Sequence, residues 1–554
     1  MSATSICREL VEDLLDAGVR EAVIAPGSRS GPLAIALAAA DRAGALRLHV
    51  RVDERTAGFL ALGLAKASRA WVPVVTTSGT ASANLYPALL EARHAGVRLL
   101  AVTADRPARL RSTGANQTTD QVGMFPRIAY GDDPEAIRAQ LAGAPGPSHL
   151  NLELDEPLVE AGEWAPAVRA TPGGGAGPRA AEDGRVRGGP DVPPGGGAGP
   201  RAADGTDGPE LTMRPHAVVV AGDDAGPPAR AFAERAGLPL FAEPSSGARN
   251  GDNALVAYRL LIDHAPIAEQ IDQVVVYGHP TLSRPVNDLL DRMNVDVVVP
   301  APDLRRFPHP PGRARTVDPA VVPDNVAAPT WLDAWRTADA TAAAAVDVVA
   351  DRESAGAALQ VARAVNDAVP PEGLLVVGSS NPIRDLDLVA RPYPVGERRL
   401  VIANRGLSGI DGTLSTAIGA ALARPSSRAL AYVGDLTFLH DANALLIGPG
   451  EPRPDLTIVV ASDDGGSIFA TLEQGDTAFG DVFERVYATP TGADIGRLCE
   501  ALGLPHRLLA AKELPTALDE SVTGIRVLEV PVARDSRRAL AAAVSQAVRD
   551  AVSI

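Results

Sequence analysis

The chain has 554 residues, enough for roughly three or four domains at about 150 residues each and far too long for one hydrophobic core. Apolar residues make up 46% and charged residues 22%, the balance of a globular protein rather than a disordered or fibrous one. Lysine and arginine number 52 against 68 acidic residues, and the net charge of −16 argues against a broad basic face, and so against nucleic acid or anionic membrane as a partner.

The first residues, MSATSICRELVED, read as an amphipathic helix and not as a signal peptide. Cys7 and Cys499 sit near opposite ends, with no metal-binding spacing and no disulfide framework, which fits a reducing, cytoplasmic setting. No run of ~18 predominantly apolar residues occurs, so no integral membrane segment is expected.

Short aliphatic runs then alternate with helical patterns. EAVIA (21–25) leads through Pro26-Gly27-Ser28-Arg29-Ser30 to a helix at 31–40. LRLHVRV (46–52) precedes a helix over 54–68, VPVVTT (72–77) one over 80–93, and VRLLAVTA (97–104) follows. Residues 171–210 break the pattern: 20 of the 40 are Gly or Pro, and PGGGAGPRAA occurs at 172–181 and again from Pro194. Such a segment buries little and is expected to be a linker or insertion.

The same grammar restarts with HAVVVAG (216–222), PLFAEP (239–244), QVVVYG (273–278) and VDVVVPA (295–301). It restarts again with GLLVVGSS (373–380), RRLVIANRG (398–406), RALAYVGD (428–435), LTIVVASD (456–463) and IRVLEVPVA (525–533), before an Ala-rich final helix. Continuous aliphatic strands between helices predict parallel sheets covered on both faces. The predicted fold is therefore α/β, with three consecutive parallel-sheet domains at 1–170, 211–345 and 355–554.

Ligands in such sheets bind beyond the carboxyl ends of the strands, so the residues there carry the information. Gly434-Asp435-Leu436 ends one strand, and Ser462-Asp463-Asp464-Gly465 ends the next. Adjacent parallel strands would bring Asp435 and Asp463 together, either as two solvated acids or as oxygen ligands for a hard cation such as Mg²⁺. A helix opening at Ser467 would aim its N-terminus at bound phosphates. Glu54 follows a strand and opens a helix, where an acid is also favoured by the helix dipole alone. Ser28 and Arg29 sit in a turn suited to a carboxylate or phosphate, or to simple capping. TTSGTASANLYPALLEA (76–92) is a further strand–turn–helix unit. Arg106, Gln117, Arg384, Arg405 and Ile410 fall in loops after strands; solvation is the plainer reading of each arginine alone, while their repeated placement at strand ends of an acidic chain points to a site.

Together these residues resemble those of thiamine-diphosphate enzymes. That superfamily carries a Gly-Asp-Gly turn followed one strand later by an asparagine pair, a glutamate after the second strand, and pyrimidine-binding, central and diphosphate-binding domains in that order. Within it the chain most resembles the 2-succinyl-5-enolpyruvyl-6-hydroxy-3-cyclohexene-1-carboxylate synthases of menaquinone biosynthesis (the MenD family). The carrying segments are APGSRSGPL, VDERTAGFLALGLAK, TSGTASANLYPALLEA, TADRP with GANQ, NRGLSGIDGTLSTAIG, GDLTFLHDANAL and GGSIF. The central domain matches loosely, through GHPTLSRP. The departures are the Gly/Pro-rich segment and Ser462-Asp463 in place of asparagines. The aspartate adds negative charge beside a diphosphate.

The resemblance implies that thiamine diphosphate is the cofactor, with Glu54 catalytic at its aminopyrimidine. Ser380, Ile410, Gly434, Asp435, Leu436, Asp463 and Gly465 would contact the cofactor. Asp435, Asp463 and the Gly465 carbonyl would hold Mg²⁺, with Mn²⁺ as an alternative. The implied reaction is decarboxylation of 2-oxoglutarate and conjugate addition of the resulting succinyl-semialdehyde carbanion to isochorismate. Ser28, Arg29, Arg106, Gln117, Arg284, Arg384 and Arg405 would bind these dicarboxylates, beside an apolar wall of Ile468, Phe469 and Leu472. A homodimer or homotetramer with sites between subunits is also implied. The alternatives are an acetolactate-synthase-like carboligase or a non-catalytic Rossmann-like nucleotide-binding protein.

Overall fold

A computed structural model describes residues 1–133, 136–143, 146–166, 210–300, 313–352, 356–424 and 426–553. The predicted linker at 171–210 lies outside the described residues except for Glu210. The first sheet contains β1 (Glu21–Ile24), β2 (Arg47–Val50), β3 (Val72–Thr76), β4 (Leu99–Asp105), β5 (Ala129–Gly131) and β6 (Ser148–Glu153). Their order is β2-β1-β3-β4-β6-β5, and every pairing is parallel.

The second unit opens with β7 (Glu210–Leu211). It continues through β8 (Ala217–Ala221), β9 (Leu240–Ala242), β10 (Gln273–Tyr277), β11 (Asp296–Pro300) and β12 (Ala314–Val317). The last five form a parallel sheet in the order β12-β11-β10-β8-β9, while β13 (Val322–Pro323) returns to pair with β7. The third sheet contains β14 (Leu374–Val377), β15 (Leu400–Ala403), β16 (Ala429–Gly434), β17 (Leu456–Ser462), β18 (His506–Leu508) and β19 (Ile525–Pro531). Its order, β15-β14-β16-β17-β19-β18, repeats that of the first sheet. Three parallel α/β sheets are thus observed, built on strands such as VPVVT and QVVVY that are buried along their whole length.

Several local expectations change. The helix predicted over 80–93 is two helices, Thr80–Ala83 and Tyr86–Ala95, because Pro87 has no N–H to continue the first. After β17 the chain forms a 3₁₀ turn, Ser467–Thr471, followed by further short turns, not one helix. The boundary read at 345–355 overlaps the end of a 22-residue helix, Pro329–Ala350. Trp331 on that helix donates its indole N–H to Ala217 O (2.9 Å) in the central sheet, and the helix also packs along the final helix Arg537–Val552.

The domains share cores. Phe59, Leu60 and Val74 of the first cluster with Leu374, Ile418 and Ile458 of the third. The shared seam is the crossing of helices Glu54–Ser68 and Thr413–Ala423. Glycine permits the crossing: a Cβ on Gly63 would lie 2.1 Å from Thr416 O, and one on Gly419 2.2 Å from Leu60 O. Gly63→Ala should therefore destabilise the protein by about 1–3 kcal/mol or more through overpacking, read as a lower thermal midpoint.

β6 carries a buried polar ladder. His149 Nε2 lies 2.8 Å from Thr103 Oγ1, which donates to Asn151 Oδ1 at 2.8 Å. Burial pushes the His149 pKa down from 6.5 to about 4. The unfolded chain therefore binds a proton that the folded chain refuses, and stability rises with pH between about 4 and 6.5. The term amounts to roughly 3 kcal/mol across the window. Urea midpoints at pH 7 and pH 5 should differ less for His149→Gln than for the wild type.

Candidate active site

In each sheet the second strand lies on one side of the first and the third on the other, which makes a crevice at the strand carboxyl ends. In the third sheet this switch point lies between β14 and β16. The loop after β14 brings Ser379, Ser380 and Asn381; that after β16 brings Asp435; that after β17 brings Asp463 and Gly465. They line a cleft of about 290 Å³ together with Arg384, Arg405, Ile410, Gly434, Leu436, Ile468 and Phe469.

Asp435 and Asp463 line the same cleft from adjacent strand ends, Gly434 lying opposite Ala461. Asp435 is 5% exposed. Its Oδ2 accepts from Gly465 N (2.9 Å) and its Oδ1 from Leu436 N (2.7 Å). Asp463 Oδ1 is shut away from solvent and has no hydrogen-bond partner. Burial pushes both carboxyls up, Asp463 to about 7 despite a hydrogen bond from Ser467, with Asp435 adding repulsion. Two crowded oxygen donors, one unsatisfied, fit a hard divalent cation better than a soft metal. Among the described residues no cluster of three or more His, Cys, Asp or Glu side chains able to hold a metal ion occurs, in this cleft or elsewhere.

The opposite wall is cationic. Arg405 is 1% exposed, and its Nε and Nη1 have no partner. Arg384 donates from Nη1 to Ser380 O (2.8 Å). Burial, then the charge of Arg405, pushes the Arg384 pKa down to about 10. A buried and a half-buried guanidinium, the first with two unpartnered nitrogens, suit a carboxylate. Ser380 has φ +73°, ψ −136°, a region nearly reserved for glycine, at a cost of roughly 1–3 kcal/mol.

The remaining predicted residues lie elsewhere. Glu54 opens the helix capped by Asp53, which accepts from Arg55 N and Thr56 N. It is partly exposed, with Asn84 Nδ2 at 3.5 Å, and does not line the Asp435 cleft. Arg29, Arg106, Gln117 and Ser28 belong to the carboxyl edge of the first sheet. Arg29 donates to Leu154 O (2.9 Å) and Arg106 to Asn116 O (2.7 Å). The Gln117 carbonyl accepts from Ser78 Oγ (2.8 Å), and Ser28 is exposed. Burial, then Arg106, lowers the pKa of Arg29. Arg284 is exposed and bonds Glu473 at 3.1 Å, and Leu472 also lies outside the cleft.

Sequence reading passed over Asn381, which donates to Ser467 Oγ (2.6 Å) across the cleft, although it stands beside Ser380 in the same strand-end turn. It also passed over Arg537, whose buried pairing with Asp385 backs the cleft from the last helix. Nothing local marks Arg537.

Comparison with known proteins finds matches for both the first and the third domain. The family model "Thiamine pyrophosphate enzyme, N-terminal TPP binding domain" matches residues 7–124, and "Thiamine pyrophosphate enzyme, C-terminal TPP binding domain" matches 387–530. The 2-succinyl-5-enolpyruvyl-6-hydroxy-3-cyclohexene-1-carboxylate synthase of Nocardioides sp. is 51% identical, over 97% of both chains. Synthases of the same name from Kineococcus radiotolerans and Paenarthrobacter aurescens are 44% and 43% identical over 100% of this chain and 100% and 98% of theirs. The chain belongs to the 2-succinyl-5-enolpyruvyl-6-hydroxy-3-cyclohexene-1-carboxylate synthase family of thiamine pyrophosphate enzymes.

Proposed function

We propose that this chain decarboxylates 2-oxoglutarate and adds the four-carbon remainder to isochorismate. The products are 2-succinyl-5-enolpyruvyl-6-hydroxy-3-cyclohexene-1-carboxylate and CO₂, within menaquinone biosynthesis in the cytoplasm. The observation that carries this reading is the cleft with buried carboxylates on one wall and underused arginine donors on the other, in a chain like these synthases over its whole length. Thiamine diphosphate, when bound, supplies the carbanion chemistry.

The chain's own residues supply the rest. Asp435, Asp463 and the Gly465 carbonyl would hold Mg²⁺, or Mn²⁺ in its place, for the diphosphate. Ionised carboxylates at these two positions, disfavoured by burial, would be favoured with a cation bound. Ser380, Gly434 and Leu436 line the cofactor, and Ile410 props it. Arg384 and Arg405 bind substrate carboxylates, while Ile468 and Phe469 exclude water from the reacting carbon. Glu54 would hydrogen-bond the pyrimidine ring of the cofactor. Since Glu54 does not line its own chain's cleft, a second copy provides it, with Ser28, Arg29, Arg106 and Gln117 beside it. The working unit is then a homodimer or a pair of homodimers. Val52, 78% exposed two residues before Glu54, supports a surface covered by another subunit.

The likeness to these synthases over the whole chain favours this reading over the flavin-bearing, acetolactate-synthase-like alternative. At the central switch point Asp223 pairs with His279 and a Cβ on Gly222 would lie 2.0 Å from Pro280 N, while a cavity of about 420 Å³ opens beside that pairing against Gly226, Ser246 and Asn250.

Glu54→Gln should bind thiamine diphosphate in calorimetry yet lose about 10²–10⁴-fold in turnover. Co-expressed with inactive Asp435→Asn, it should recover about a quarter of wild-type activity, because half of randomly mixed dimers carry one intact shared site. No recovery would contradict a shared site. Chelation by EDTA should abolish turnover, with Mg²⁺ or Mn²⁺ restoring it; activity indifferent to chelation would remove the metal role of Asp435 and Asp463.

A further inference from the structure

Arg405 stands where the three domains meet. Its Nη2 donates to the main-chain O and the Oγ1 of Thr281, both at 3.2 Å, in the turn after β10 of the central domain. That turn is itself clamped. Thr281 N and Leu282 N both donate to Oε1 of Glu243, at 3.0 and 2.9 Å. Glu243 follows β9, is 2% exposed, and its Oε2 has no partner. From the other side, Glu91 of the first domain accepts from Gly406 N (2.8 Å) and Leu407 N (2.7 Å), the residues immediately after Arg405.

We propose that Glu243 is a positioning residue for substrate recognition: through Thr281 it fixes the Arg405 guanidinium so that Nε and Nη1 face the cleft. The central domain then takes part in selecting substrate and is more than a spacer. The inference rests on the reading of Arg405 as a substrate-binding residue.

The chemistry of Glu243 suits the task. Burial pushes its pKa up to about 8, against the pull of Arg405, so at neutral pH it is mainly a neutral acceptor. A neutral carboxyl takes both N–H groups at one oxygen and leaves the charge of Arg405 for a substrate carboxylate. An unheld Arg405 would also be repelled by Arg384, which shares the same wall.

The test compares Glu243→Ala, Glu243→Gln, Arg405→Ala and the double variant Glu243→Ala/Arg405→Ala in the full-length enzyme, with 2-oxoglutarate and isochorismate varied in turn. Glu243→Ala is expected to raise the KM of one substrate by about tenfold while kcat and calorimetric affinity for thiamine diphosphate change little. Glu243→Gln, which keeps an acceptor oxygen for both N–H groups, should stay close to wild type. In the Arg405→Ala background, Glu243→Ala should add almost nothing. Additive losses, or a Glu243→Ala KM equal to wild type while Arg405→Ala is impaired, overturn this proposal alone. An Arg405→Ala enzyme with both KM values unchanged overturns the reading of Arg405 and this proposal with it. Should Glu243→Ala not fold, Thr281→Val removes one acceptor of Arg405 and leaves the Glu243 bonds in place. A raised KM supports the proposal there, and an unchanged one overturns it.

Discussion

Two carboxylates forced together at the ends of neighbouring strands set the terms for the rest of this molecule. Asp435 is buried and Asp463 has one oxygen enclosed without a partner. Like charges in a partly dry site are costly, and the proposed divalent cation would offset that cost. The surrounding fold keeps the pair together: β16 and β17 are adjacent and parallel, and Gly465 N ties the second loop to the first carboxylate. Arg384 and Arg405 in the same cleft pose the opposite charge problem, which the proposed dicarboxylate substrates would offset.

The three sheets begin with the same crossover yet use it differently. In the third sheet the crevice is open and lined with polar groups. In the first it carries Ser28 and Arg29, with Glu54 one strand away. In the central sheet the turns after β8 and β10 pair with each other, and Thr281 in the second of them bonds Arg405. Topology supplies a place at each switch point, and the side chains decide whether it becomes a site.

Much of this was legible in the sequence because aliphatic strands and their end residues are local signals. Asp435 and Asp463 could be paired from two strand ends alone, and Arg384, Arg405 and Ile410 do line one cleft. What was hidden depends on contacts distant in the chain. β6 reads as polar, since Ser148, His149 and Asn151 satisfy one another's needs, or those of Thr103 and Ala129, only after folding. Arg284 looked like the contribution of GHPTLSRP, but it lies on the surface, and Thr281 of the same segment reaches Arg405. The Ser467 segment carries an N-terminal helix signal, yet its backbone forms short turns that wrap the cleft.

The glycine seam between the first and third domains has a mechanical meaning. With Gly63 and Gly419 each set against a backbone carbonyl, neither helix can roll or slide on the other without collision. The two domains of one chain therefore move as a single casting. Any opening needed to admit a dicarboxylate or release a larger product has to come from the parts outside that seam: the short turns after Ser467, the central domain, or the joint with a second subunit.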